Sequence, residues 1–139
     1  MSRGNRRLKR RIRQSRKERL THQGLYDTHH LLWTKRSWNY GSLKALRTHW
    51  YCRVLIPRAT LHQEIHHYIG SIPLPRQTSA REALNQLGYL EKYGGISPED
   101  SIQKRLKVLI ALFDCVDECT ANALQIQLDI VNRFYDKLP

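Results

Sequence analysis

The chain has no long apolar run and few cysteines. No stretch approaches the roughly 20 apolar residues that a helix needs to cross a bilayer, and the basic start lacks the apolar segment of a signal peptide. The cysteines, Cys52, Cys115 and Cys119, are odd in number, which favours reduced, buried thiols over a disulfide framework. We therefore expect a cytoplasmic protein without a membrane partner.

Acidic residues are also scarce. Twelve Asp and Glu stand against 24 Lys and Arg, a formal charge of +12 over 139 residues, and residues 1–20 hold ten of the basic residues with a single acid. Because this segment has almost no apolar side chains and its like charges repel, residues 1–22 are predicted to form a disordered arm. Such a basic arm can bind nucleic acid. The alternative is that it serves as a solubility tail or an assembly arm.

Arginine dominates the arm, and its guanidinium suits bidentate contacts with phosphate. Such contacts release counterions, so the predicted partner is DNA or RNA and the affinity should fall with salt. The predicted nucleic-acid-binding residues are Arg6, Arg7, Arg10, Arg11, Arg13, Arg16 and Lys17 of the arm, with Lys35, Arg36 and Arg47 farther along the chain.

The first half beyond the arm has a mixed apolar pattern. It predicts short strands near 29–34 and 50–56, with at least one helical turn around 42–48 between them. Leu61, Ile65 and Ile69 then recur every four residues, which predicts a helix over 58–69. The proline-containing segment 71–75 is predicted to be a stiff linker.

The second half has the periodicity of helices. Three helices are predicted, with caps at Ser79, Ser97 and Thr120, and the first of them should end at Gly94 and Gly95. The expected fold is α+β and mostly helical, a small ββα-like unit followed by a C-terminal helical bundle or hairpin. The predicted parts are the arm 1–22, the ββα unit 23–70 and the helical region 71–139, the last two forming one compact domain.

Five of the seven histidines fall in two places, His29-His30 and the group His62, His66 and His67. Neutral imidazole is both a metal ligand and a general base near pH 7. His62 and His66 are four residues apart on the predicted helix, so they share a face and can point at one site, whereas His67 points elsewhere. With His29-His30 on a strand, this arrangement suits a metal site that acts on phosphodiesters.

These residues resemble the HNH nucleases, and in particular the branch with a double histidine and a helical His-x-x-x-His. The matching segments are Thr28–Leu32 and Ile56–His66. The resemblance implies that His30 is the general base, that His29 and His62 bind a divalent metal, and that His66 is a further or substitute ligand. The family's central asparagine has no counterpart in Tyr51–Leu55.

If the site is active, the implied metal is Mg²⁺, Mn²⁺ or Zn²⁺, and the alternative is that the chain holds no metal. Asp27 and Glu64 are the nearest acidic residues, and a site built only from imidazoles suits zinc better than magnesium, which prefers oxygen ligands. If active, the protein would be a metal-dependent endonuclease.

Two other classes of function stay open. A degenerate nuclease fold can serve as an inhibitor or regulator from a phage or mobile element, one that binds nucleic acid or a host protein–nucleic-acid complex. Alternatively, the chain holds nucleic acid as an assembly protein. In that case its C-terminal helices would form an oligomer through residues such as Leu109 and Leu128.

Overall fold

The computed structural model describes residues 26–32, 41–57, 62–69 and 75–135. The predicted arm 1–22 and the predicted phosphate contacts Lys35 and Arg36 lie outside these ranges. No helix in the described residues is both long and apolar enough to span a bilayer.

Two short strands pair in antiparallel orientation. Strand β1 (Tyr26–His30) lies beside β2 (Arg53–Pro57), with His29 opposite Val54 and His30 opposite Arg53. Both predicted strands exist, but β1 begins three residues before its expected start and β2 begins three residues after its expected start.

The residues just after β1 and just before β2 account for these bounds. Beyond β1, Leu31 and Leu32 are buried in the core, and the Leu31 amide donates to the Cys52 carbonyl over 2.8 Å. Before β2, residues 50–52 form a 3₁₀ turn, because Nδ1 of His49 accepts a hydrogen bond from the Tyr51 amide. This cap delays the start of the second strand until Arg53.

Two short helices complete the first half. Helix α1 (Gly41–Arg47) agrees with the predicted turn at 42–48 and buries Leu43 and Leu46. Helix α2 (Gln63–Ile69) buries Ile65 and follows β2 in the chain, so β1, β2 and α2 give the expected ββα order. The first part of the predicted helix 58–69, residues 58–61, lies outside the described ranges.

Three longer helices form the second half: α3 (Gln77–Lys92), α4 (Ile102–Asp114) and α5 (Glu118–Tyr135). Helices α4 and α5 pack against each other as a hairpin, and α5 also packs against α2. Their apolar faces supply much of the core, including Leu106, Leu109, Phe113, Leu124, Leu128 and Val131. The predicted fold class, α+β and mostly helical with a small two-stranded sheet, is confirmed.

The predicted helix starts at Ser79 and Ser97 are wrong. Helix α3 begins at Gln77, and buried Ser79 lies inside its first turn, where its hydroxyl donates to the Val116 carbonyl. Helix α4 is capped by Ser101, whose hydroxyl accepts from the Lys104 amide. Ser97 and Ser101 both precede α4, and Ser101 is the one that caps it.

The predicted cap of the last helix is also wrong, whereas the predicted glycine stop is confirmed. Asp117 accepts from the Thr120 amide, so Thr120 lies inside α5. At the end of α3, Gly94 has φ +74°, a region that favours glycine, and the Gly95 amide donates to the Leu90 carbonyl over 2.7 Å.

The predicted burial of the thiols is correct only in part. All three cysteines are free, and Cys52 is buried, but Cys115 and Cys119 are exposed. Both lie where the chain turns from α4 into α5, outside the face that packs on the core. The helical periodicity alone does not reveal this turn.

The leucines expected to support assembly are core residues instead. Leu109 is 0% and Leu128 is 5% exposed. A polar substitution at either position would disrupt the fold of one chain before it reported on any contact between chains, so these residues do not support an oligomer interface.

Arg105 joins the two halves of the molecule. Its side chain is buried, and Nη1 donates to the carbonyls of Trp50 and Arg53, each over 3.1 Å, with a longer contact to the Tyr51 carbonyl. Nη2 and Nε donate to the carbonyls of Pro98 and Asp100 over 2.7 and 3.0 Å. The guanidinium thereby fixes the start of β2 against the start of α4.

Replacing Arg105 should destabilise the protein strongly. In Arg105→Met the stem is retained, but the buried carbonyls lose a charged donor, and we expect a loss of about 3 kcal/mol or more in the free energy of unfolding. Urea denaturation measures this change. The exposed Arg81 on α3 provides the matched control, Arg81→Met, which should stay within about 0.5 kcal/mol of the parent. Equal stability of the two variants would contradict the role given to Arg105.

Candidate metal centre

Three histidines from separate parts of the ββα unit come together. His29 lies on β1, His62 immediately precedes α2, and His66 lies one turn into that helix. One ring nitrogen from each residue lies within 4.8 Å of the other two. The structure thus brings together all three histidines that sequence reasoning assigned to a metal.

A buried glutamine orients the His29 ring. Nε2 of His29 lies 2.6 Å from Oε1 of Gln127, and Nε2 of Gln127 donates to the Leu31 carbonyl over 3.0 Å. Because a carbonyl can only accept, the amide nitrogen must face Leu31, which leaves Oε1 to accept from His29. His29 therefore carries its proton on Nε2 and has a lone pair on Nδ1. That Nδ1 atom is buried and has no hydrogen-bond partner among the described residues.

A carboxylate orients the second ring. Oδ2 of Asp27 lies 2.9 Å from Nδ1 of His62, and because a carboxylate accepts, this nitrogen carries the proton. The lone pair of His62 is then on Nε2, which lies 2.8 Å from Nε2 of His66. Asp27, one of the two acidic candidates, is thus a hydrogen-bond partner of the candidate ligand His62, in the position usual for carboxylates behind zinc-bound histidines.

Burial lowers the pKa of two of the three rings, those of His29 and His66. It lowers the pKa of His29 to about 4, with the Gln127 hydrogen bond opposing this effect and the charges of the neighbouring histidines adding to it. Burial, and then the charge of His62, lowers the pKa of His66 as well. Metal binding requires neutral imidazole, so these rings can bind a cation at neutral pH with little competition from protons.

The ring spacing fits a tetrahedral ion. Zinc–nitrogen bonds of about 2.0–2.1 Å place two ligand atoms about 3.3 Å apart. The observed separations, 2.8 Å for the closest pair and at most 4.8 Å for the set, bracket this value. Three imidazoles match the donor set that zinc accepts, and within the described residues no fourth His, Cys, Asp or Glu joins the group, as in catalytic zinc sites that keep one position for water.

The predicted general base lies apart from this cluster. His30 is the last residue of β1 and is opposite Arg53, and successive strand residues point to opposite faces of a sheet. His29 and the cluster therefore occupy one face of the sheet, and His30 occupies the other. Arg47, a predicted nucleic-acid contact, is half-buried on α1.

Sequence reasoning missed Gln127. The available signal was its position, since it lies on the buried face of α5 between Leu124 and Val131 and is itself fully buried. A buried amide needs hydrogen-bond partners, and those of Gln127 are on β1 and just after it, almost a hundred residues away in the chain.

Comparison with known proteins gave no match to the chain among protein-family models, curated proteins or solved structures. The chemistry of the site therefore rests on the residues that form it.

The chain should bind one Zn²⁺ per molecule. His62→Ala and His66→Ala each remove a ligand, and we expect the affinity to fall by about 100-fold or more, beyond the usual cost of losing a second-sphere partner. Competition with a chromogenic chelator measures this affinity. His67→Ala on the same helix is the control and should bind as the parent does. Equal losses in His67→Ala and His62→Ala would argue against the site.

Without metal, the protein should lose stability in mild acid. The unfolded chain takes up a proton at His29 near pH 6.5, whereas the folded chain resists it down to about pH 4. The contribution of His29 to the free energy of unfolding is therefore fully present above pH 6.5. It is lost as the pH drops, by roughly 2–3 kcal/mol between pH 7 and 4.5. Urea denaturation with a chelator present measures the fall, which should be smaller in His29→Gln. An equal fall in both proteins would contradict this account.

Proposed function

We propose that the chain is a nucleic-acid-binding protein with an HNH-like site and that it acts as a metal-dependent endonuclease. The observation that carries the proposal is the buried Nδ1 of His29, which has no hydrogen-bond partner in the described part of the chain and lies beside His62 and His66. A buried nitrogen without a partner is costly, and a cation would relieve this cost. The ββα order of β1, β2 and α2 also agrees with the arrangement that the family resemblance implies.

The chain's own groups have separate roles in this proposal. His29, His62 and His66 would hold the cation, while Gln127 and Asp27 orient the first two rings. The bound cation would supply Lewis-acid stabilisation of charge that develops on a phosphodiester oxygen. His30, at the end of β1, is proposed from the resemblance to take the proton of the attacking water.

Nucleic acid is the proposed partner because of the charge of the whole chain, which is +12. Backbone phosphates carry the opposite charge, and most of the excess is in residues 1–20. The proposed location of the protein is the cytoplasm, and its three free thiols agree with this location.

A second candidate is a non-enzymatic protein with the same metal site. It is favoured by one observation, the position of His30 on the face of the sheet opposite to His29. In this case the ion stabilises the ββα unit, and the protein inhibits or regulates by binding nucleic acid or a host protein–nucleic-acid complex.

Plasmid cleavage separates the two candidates. With added Mg²⁺, Mn²⁺ or Zn²⁺, the parent should nick supercoiled DNA, and His62→Ala and His30→Ala should each lower the rate by at least about 100-fold, as expected for loss of the Lewis acid or the general base. His67→Ala should cleave at the parental rate. Gel electrophoresis of the plasmid forms gives the rates.

Binding gives the complementary result. Replacing Arg10, Arg11, Arg13 and Arg16 together should weaken binding to a DNA duplex and reduce its salt dependence, because each contact releases counterions. If the parent binds DNA but cleaves it with none of the three metals, the endonuclease proposal is refuted and the second candidate remains. A parent that binds neither metal nor nucleic acid would exclude both.

A further inference from the structure

Gln127 connects the metal site to a helix outside the ββα unit. It lies on α5, and its side chain is 0% exposed. Both ends of its amide are used, since Oε1 accepts from His29 and Nε2 donates to the Leu31 carbonyl. One side chain thus holds the ring of a metal-binding residue and the backbone two residues farther along.

We propose that Gln127 is a positioning residue of the metal site: its Oε1 holds the proton of His29 on Nε2 and thereby presents the Nδ1 lone pair to the cation. This inference rests on the proposed function, because it assumes that the three histidines bind a metal.

The geometry leaves the glutamine little freedom. Rotating the amide by half a turn would place its oxygen against the Leu31 carbonyl and its nitrogen against His29, so one contact would pair two acceptors. The orientation that satisfies Leu31 is therefore the one that fixes the proton of His29. The backbone at Leu31 is itself held by the hydrogen bond from its amide to the Cys52 carbonyl.

Packing alone does not require a polar side chain at position 127. An apolar residue of similar size at position 127 would continue the buried face formed by Leu124, Leu128 and Val131 without a polar group to satisfy. The glutamine adds an acceptor at the one nitrogen of His29 that the metal does not use. Second-sphere partners of this kind typically change metal affinity by about 10–100-fold.

The two ends of the amide can be separated by substitution. Gln127→Leu removes both the acceptor and the donor, whereas Gln127→Glu keeps an acceptor for His29 and loses the donor to Leu31. If Gln127 only fills space, the buried carboxylate should be at least as harmful as leucine to both stability and metal binding. If Gln127 positions His29, the order of the variants by zinc affinity should differ from their order by stability.

The experiment measures zinc affinity by chelator competition and stability by urea denaturation for the parent, Gln127→Leu, Gln127→Glu and the control Gln125→Leu. Gln125 lies on the exposed side of α5, where it donates to Asp129. We expect zinc affinity to fall by about 10–100-fold in Gln127→Leu, to remain within about threefold of the parent in Gln127→Glu, and to be unchanged in Gln125→Leu. Parental affinity in Gln127→Leu, or affinities that simply follow stability, would overturn the inference.

A measurement on the parent protein tests the same inference without depending on the folding of a variant. Long-range ¹H–¹⁵N spectra of the metal-free chain report which nitrogen of each histidine is protonated. We expect His29 to carry its proton on Nε2, with a slowly exchanging resonance, and a proton on Nδ1 would overturn the inference. A parent that binds no zinc would instead refute the proposed function, and with it the role of Gln127, so the two failures are distinguishable.

Discussion

The buried guanidinium of Arg105 is the interaction on which the rest of the structure depends. Two strands of five residues have too few hydrogen bonds and too little apolar area to be stable alone in water. Arg105 binds the carbonyls of Trp50 and Arg53 and so fixes the beginning of β2 against the helical half. Strand β1 then follows by pairing with β2, and the position of His29 follows from β1.

A second polar anchor attaches the other strand. Gln127 of α5 binds His29 and Leu31, while Arg105 of α4 binds the chain before and within β2. Each helix of the C-terminal hairpin thus provides one buried polar side chain that the ββα unit needs. Both anchors reach groups distant in sequence, so the geometry of the candidate metal centre depends on how well the hairpin packs against the sheet.

The sequence predicts the parts of the site whose spacing is local. His62 and His66 are four residues apart, and helical geometry alone places them together, while the apolar pattern predicts a strand at His29 but not its bounds. The fold class follows from periodicity in the same way. The helix caps do not, because Ser97 and Ser101 both precede α4 and the pattern does not say which of them caps it. Gln127 and Arg105 also escape prediction, since their partners are fixed only by the tertiary fold.

The exposure of the three histidines bears on what the site can do. His29 is buried, His62 is half-buried and His66 is exposed, so the cluster opens toward the surface of α2. Structural zinc sites are closed by four protein ligands, whereas the described residues offer three here, the number found in catalytic sites that keep one position for water. This asymmetry favours the enzymatic proposal over the structural one, even though His30 lies on the other face of the sheet.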